Sequence, residues 1–150
     1  MTRFARALFA AVLLLAPAAA IAGPVDDAHG ALDGWAAAYS TNDIDGVVKS
    51  YWPDAILFGH AGPDVVKGAE AIRKYYASIL AGGTQARTGA RYTIAVDATT
   101  VVITGYYEFL VLKDGKPVST PARFTMLFTK RGAEWRIAHH HSSLYVETKP

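Results

Sequence analysis

Three consecutive histidines close the segment Trp135-Arg-Ile-Ala-His-His-His-Ser-Ser143 near the C-terminus. The segment reads as a late β-strand. Side chains alternate faces along a strand, so His139 and His141 share one face and His140 takes the other. Imidazole is the side chain best suited to proton transfer near neutral pH, and it is a common metal ligand. His139 and His141 are therefore the candidate catalytic pair, acting as acid and base, with His140 as a candidate ligand contact. A structural role for the pair, bonded locally at the end of the sheet, is the competing reading. Two histidines on one strand supply only two metal ligands. His60 and Glu108 are conceivable thirds, but their spacing demands nothing, and no cysteine exists to complete a soft site. No metal and no cofactor is expected.

Other residues carry weaker signals. Glu108 sits in a strand otherwise full of aromatic and aliphatic residues, sharing a face with Thr104 and Tyr106. Against a pocket it would be a desolvated carboxyl suited to acid–base work. Facing outward, it would pair with Arg123 across the hairpin. Arg123 offers a planar fork of donors for an anionic or carbonyl-bearing ligand. Tyr51, Tyr106 and Met126 are candidate pocket-wall residues, with Trp35, Trp52, Tyr75 and Tyr76 as further large core aromatics. Asp54 is expected to cap or turn the chain after Pro53, and His60 to lie in a glycine-flanked loop near a pocket mouth.

The elements that must position these residues follow from periodicity. Val25, Ala28, Leu32, Trp35, Ala36 and Tyr39 recur at helical spacing behind Pro24. Asp43 caps a short second helix whose apolar face is Ile44, Val47, Val48 and Tyr51, with Pro53 as its stop. Ala55–Phe58 is a short strand. A third helix presents Ala69, Ile72, Tyr76, Ile79 and Leu80, and stops at Gly82-Gly83. The second half reads as an antiparallel meander. Tyr92, Ile94 and Val96 alternate, and a turn at 97–99 leads into 100–112. Asp114-Gly115 makes a type I′ hairpin, and Pro121 marks an edge or a bulge. A last turn at 131–133 leads into 134–145. The fold class is α+β: three helices packed on a curved antiparallel sheet that forms a cone with a pocket.

The N-terminus reads as a signal peptide. Arg3 and Arg6 precede the apolar run Ala7–Leu15, and Ala20-Ile-Ala22 is a small-residue cleavage site. Residues 1–22 are then the leader and 23–150 one domain. The protein is expected to be periplasmic or secreted, with no stable membrane insertion after cleavage. The chain has 15 basic and 13 acidic residues, and two of the basic ones lie in the leader. The remainder is near neutral, with no basic stripe of the kind nucleic-acid binding needs.

The order of elements resembles the nuclear transport factor 2-like, or SnoaL-like, superfamily shared with ketosteroid isomerase and scytalone dehydratase. Tyr51–Phe58, Lys67–Tyr76 and Gly132–Ser143 carry the likeness. The final strand is most similar to the association (hub) domain of calcium/calmodulin-dependent kinase, whose Trp-x-Ile-x-His-x-His-x-Ser falls on Trp135, Ile137, His139, His141 and Ser143. The resemblance implies the cystatin-like cone and association into a dimer or larger ring through the sheet. The hub domain lines its pocket with carboxylate-binding arginines. Here those positions hold Tyr106, Met126 and Ser142, so that mechanism is not expected. No aspartate matches the general base of ketosteroid isomerase.

The reading that results is an exported protein binding a small, partly apolar molecule in the cone. One alternative is an acid–base enzyme (isomerase, dehydratase or cyclase). Another is an assembly module with a vestigial pocket, the form expected if Trp35, Tyr51 and Met126 fill the cone. A homo-oligomer is expected because Phe124, Met126 and Phe128 face one way and Leu127 the other, with Trp135 and Ile137 nearby, and one helical layer covers only one face. Intact-mass analysis of protein exported by its native host should give an N-terminus at or near Gly23; a retained Met1 would contradict the leader assignment.

Overall fold

The computed structural model describes residues 23–145. The expected leader, residues 1–22, lies outside them, as do residues 146–150. Helix α1 (Pro24–Ser40) buries Ala28, Leu32, Trp35 and Tyr39, one stripe of the expected helical pattern. Helix α2 (Ile44–Lys49) is capped by Asp43, whose carboxylate accepts from Gly46 N at 2.9 Å. Helix α3 (Ala69–Leu80) buries Ile72, Tyr76 and Leu80 and is followed by Gly83 at φ 70°.

The strands are β1 (Tyr51–Phe58), β2 (Val65–Lys67), β3 (Gln85–Asp97), β4 (Thr100–Lys113), β5 (Lys116–Arg131) and β6 (Glu134–Leu144). They form one sheet in the order β2-β1-β6-β5-β4-β3. The β3–β6 meander is antiparallel throughout. Asp114 and Gly115, at φ 52° and 72°, turn β4 into β5 as a type I′ hairpin requires. Pro121 stands in a central strand. Its carbonyl accepts from Tyr145 N at 3.4 Å, so its donor-less nitrogen turns toward the side where β6 ends and the β4 ladder is undisturbed.

Two features depart from the sequence reading. Tyr51 does not extend the helical face of α2; it opens β1, four residues earlier than expected. Pairing with the last strand overrides the local helical spacing, because Ile137 N donates to Ser50 O at 2.8 Å and Tyr51 sits opposite Ile137. The β1–β6 pair is also parallel, unlike the rest of the sheet. The short β2, formed by Val65–Lys67 against Ile56–Phe58, has too few residues to show a period of its own. Asp54 neither caps nor turns the chain: it makes a two-pronged ion pair with Arg131, at 2.9 and 3.1 Å, which holds its carboxyl below the usual carboxylate range.

The helices cover one face of the sheet. Its inner residues join them in a single core that includes Trp35, Leu57, Ile103, Tyr107, Phe124, Met126, Phe128 and Ile137. The outer face carries exposed apolar side chains: Phe58 (42%), Val65 (51%), Tyr92 (62%), Ile94 (63%) and Val96 (59%). These outward apolar residues come mainly from β1, β2 and β3. Of the residues expected to offer apolar surface to both sides, Phe124, Met126, Phe128 and Ile137 point into the core, and half-buried Leu127 takes the opposite face.

Candidate functional site

Alternation along β6 splits the histidine triplet, and the structure decides the faces. His140 points inward, opposite Leu57 of β1 and Met126 of β5, and is 1% exposed. His139 and His141 lie on the outer face, edge-on to Phe58 with ring centroids 6.0 and 6.3 Å away. The pair expected to act as acid and base therefore does not line the cone.

Inside, His140 is held at both ring nitrogens. The Tyr51 hydroxyl is 2.7 Å from Nδ1 and the Tyr107 hydroxyl 3.3 Å from Nε2. Tyr76 extends the chain, its hydroxyl 2.5 Å from that of Tyr51. A neutral imidazole has one N–H and one lone pair, so one tyrosine donates to it and the other accepts. Burial lowers the His140 pKa from 6.5 to about 3, with smaller contributions from His139, His60 and His141. Burial likewise pushes the hydroxyls of Tyr39, Tyr51, Tyr76 and Tyr107 well above their ordinary range. The relay is uncharged at neutral pH.

Trp35 stacks on Tyr107 at 6.0 Å and meets His140 edge-on at 5.5 Å. With Tyr39, Tyr76, Phe109 and Ile79 it fills the cone, leaving a space of about 10 Å³. That is room for roughly one water. Two polar atoms in this lining have no hydrogen-bond partner among the described residues: Trp35 Nε1, near but outside bonding geometry to Tyr51, and the Tyr39 hydroxyl.

His60, at the mouth, stacks on Phe109 at 4.5 Å, and its Nδ1 is 3.0 Å from Ser142 Oγ. Burial lowers its pKa from 6.5. The Tyr75 hydroxyl accepts from Ala61 N at 3.3 Å, and it lies where a Cβ on Gly59 would stand. No side chain can be added there without displacing the tyrosine.

The other candidates divide between the two faces. Tyr51 and Met126 are inside; Tyr106, Glu108 and Arg123 are outside. Glu108 faces outward, one of the two placements open from the sequence, and pairs with Arg87 at 2.6 Å and accepts from Ser119 at 3.1 Å rather than meeting Arg123. Arg123 stands opposite Tyr106, and its Nε donates to Ser143 Oγ at 3.2 Å. Of the positions matched to hub-domain arginines, Met126 and Ser142 face the core and Tyr106 does not. Among the described residues no three His, Asp or Glu side chains gather as a metal site would need. The sequence reading missed Tyr39 and Tyr107 as pocket residues. Tyr107 carried a signal, since it alternates with Tyr106 on β4 and must take the opposite face.

The sequence model of the SnoaL-like domain matches residues 29–147, and the chain belongs to that family. It is similar in structure to a Xanthomonas campestris protein assigned to the calcium/calmodulin dependent protein kinase II association domain. The TM-score is 0.75 at 29% identity, covering 85% of this chain and 95% of that one. A ketosteroid isomerase-like protein from Erwinia carotovora atroseptica shares the fold at TM-score 0.71 and 17% identity, covering 81% and 95%. So does a Streptomyces avermitilis protein of the NTF2-like family named as a dehydratase, at 0.72 and 17%, covering 83% and 97%. Among proteins with curated descriptions, none matches.

A buried histidine kept neutral binds fewer protons than the unfolded chain does below its ordinary pKa. Its contribution to stability is present above about pH 6.5 and is lost as pH falls toward about 3. Replacing His140→Phe should flatten that part of the stability curve, measured by urea unfolding at pH 7, 6, 5 and 4 beside the wild type. At pH 7 the variant should be less stable by about 1–3 kcal/mol for each tyrosine hydroxyl left unpaired. Equal pH dependence in the two proteins would contradict the buried neutral imidazole.

Proposed function

We propose that the chain is an exported small-molecule-binding protein, periplasmic or secreted, whose cone takes a small uncharged molecule carrying an oxygen acceptor. The observation that supports this reading is the pair of unpartnered polar groups, Trp35 Nε1 and the Tyr39 hydroxyl, that line the central space. A buried donor without a partner costs about 1–3 kcal/mol, and an acceptor oxygen on a guest would recover it. Among the described residues the lining holds no carboxylate, lysine or arginine, so a charged guest would lose its hydration without a counter-ion. A guest larger than one water needs the mouth to open, and His60 and Tyr75 are the side chains that stand there.

Acid–base turnover has less support. Ketosteroid isomerase-like and dehydratase names belong to proteins that share only the fold with this chain. Among the lining residues, His140 is neutral and locked, and burial lowers the pKa of His60 as well.

The test uses phenol and cyclohexanone as probes, each small, neutral and oxygen-bearing. Titration should shift the Trp35 indole N–H resonance saturably. Tyr39→Phe should weaken the probe that binds by about tenfold, equivalent to about 1.4 kcal/mol, while raising unliganded stability. No shift with either probe, together with unchanged stability in Tyr39→Phe, would mean the cone is simply packed core.

A second reading, assembly of identical chains through the outer sheet face, is favoured by the exposed Phe58, Val65, Tyr92, Ile94 and Val96. Sedimentation at micromolar concentration should then give a dimer or larger, and Ile94→Asp should dissociate it. A monomer at all concentrations would dismiss this reading.

A further inference from the structure

The outer face carries a second concavity, of about 250 Å³, bounded by Thr104, Arg123, Thr125, His141 and Ser143. Cross-strand pairing builds it: Thr104 faces Thr125, Thr125 faces His141, and Arg123 faces Ser143. Five arginines of the described residues, Arg73, Arg87, Arg91, Arg131 and Arg136, each pair with a carboxylate. Arg123 makes no ion pair among the described residues.

The hydrogen-bond directions leave donors aimed at this hollow. Thr104 donates to Phe124 O at 2.8 Å, and Thr125 donates to Thr104 at 3.1 Å, so both threonine protons are used. Ser143 accepts from Arg123 Nε, which leaves its own proton to donate. The two terminal nitrogens of Arg123 take part in no hydrogen bond among the described residues. His141 adds a ring N–H. Among the described residues no carboxylate bounds the hollow, and Glu108, further along the same face of β4, is already held by Arg87 and Ser119.

We propose that Arg123, Ser143 and His141 form a binding site for a small oxyanion, a carboxylate or a phosphate, on the outer face of the sheet. A guanidinium fork whose Nε is anchored presents its remaining edge in a set orientation, and two oxygens of a carboxylate or a phosphate match that geometry with two parallel bonds. The hollow is smaller than a typical drug-sized pocket, so the guest is a small anion or the acidic end of a larger molecule. The site does not rest on the cone reading: the two lie on opposite faces and differ in the charge they accept.

Amide resonances of the wild-type protein are followed during titration with sodium phosphate and, separately, sodium acetate, against sodium chloride at matched ionic strength. Thr125, His141 and Ser143 should shift saturably with at least one oxyanion and remain unmoved by chloride. Response to phosphate alone assigns a phosphate site, response to acetate alone a carboxylate site, and response to both a general oxyanion site. Arg123→Gln should weaken binding by about tenfold or more with unchanged thermal unfolding. Arg73→Gln, an exposed arginine elsewhere on the molecule, should bind as the wild type does. Absence of saturable shifts, equal shifts with chloride, or retained affinity in Arg123→Gln would overturn the site.

Discussion

The cone depends on keeping one imidazole neutral in a dry place. His140 is buried with hydroxyls at both nitrogens, and the surrounding parts are arranged to make that tolerable. Tyr51 comes from the first strand, Tyr107 from the fourth and Tyr76 from the third helix, so the relay joins elements far apart in sequence. A buried polar network with every member partnered specifies one arrangement of its neighbours, because any other leaves a donor or acceptor stranded. Trp35 and Tyr39 on α1 then close over it. The aromatic packing is dense enough that little space remains, and the same density leaves their own polar atoms without partners.

The two faces of the sheet therefore have different chemistry. Inward, the polar groups are uncharged, and those of the His140 relay are satisfied by one another, while Trp35 Nε1 and the Tyr39 hydroxyl are not. Outward, arginine charge is handled in pairs, as in Arg87–Glu108 and Arg131–Asp54, with Arg123 the exception among the arginines of the described residues. Fold membership explains the cone and says nothing of which face carries the biology, since SnoaL-like domains host many activities.

Much of the architecture was legible from local pattern. The buried stripe of α1, the Asp43 cap and the Asp114-Gly115 hairpin all follow from short-range rules. The split of the histidine triplet was also legible, since period two forces His140 away from its neighbours. Which face is the inner one was not, because both sides of β6 carry histidines and nothing within the strand ranks them. The deciding partners, Tyr51 and Tyr107, arrive through pairings with strands remote in sequence. Tyr51 was hidden further by standing at helical spacing from Ile44, Val47 and Val48. A cone filled by Trp35, Tyr51 and Met126 stood as one alternative, and nothing local decided it, because it depends on how α1 lays Trp35 and Tyr39 across the sheet. Arg123 and Glu108 were recognisable as unusual, but their partners depend on register across three strands.

The parallel contact between β1 and β6 sets the order in which the molecule can be made. More than half of the described domain, residues 59–133, lies between those two strands, and the meander is joined by tight local turns. Hairpins of that kind form early and cheaply, whereas closing so long a loop is slow. β1 joins the meander only through the final strand, so it has no edge of the meander to pair with until that strand is in place. A nascent chain released before Ile137 would hold an open sheet edge and an unfilled Tyr51 position. Completion of the fold is thus tied to synthesis of β6, and truncation before that strand removes His140 along with it.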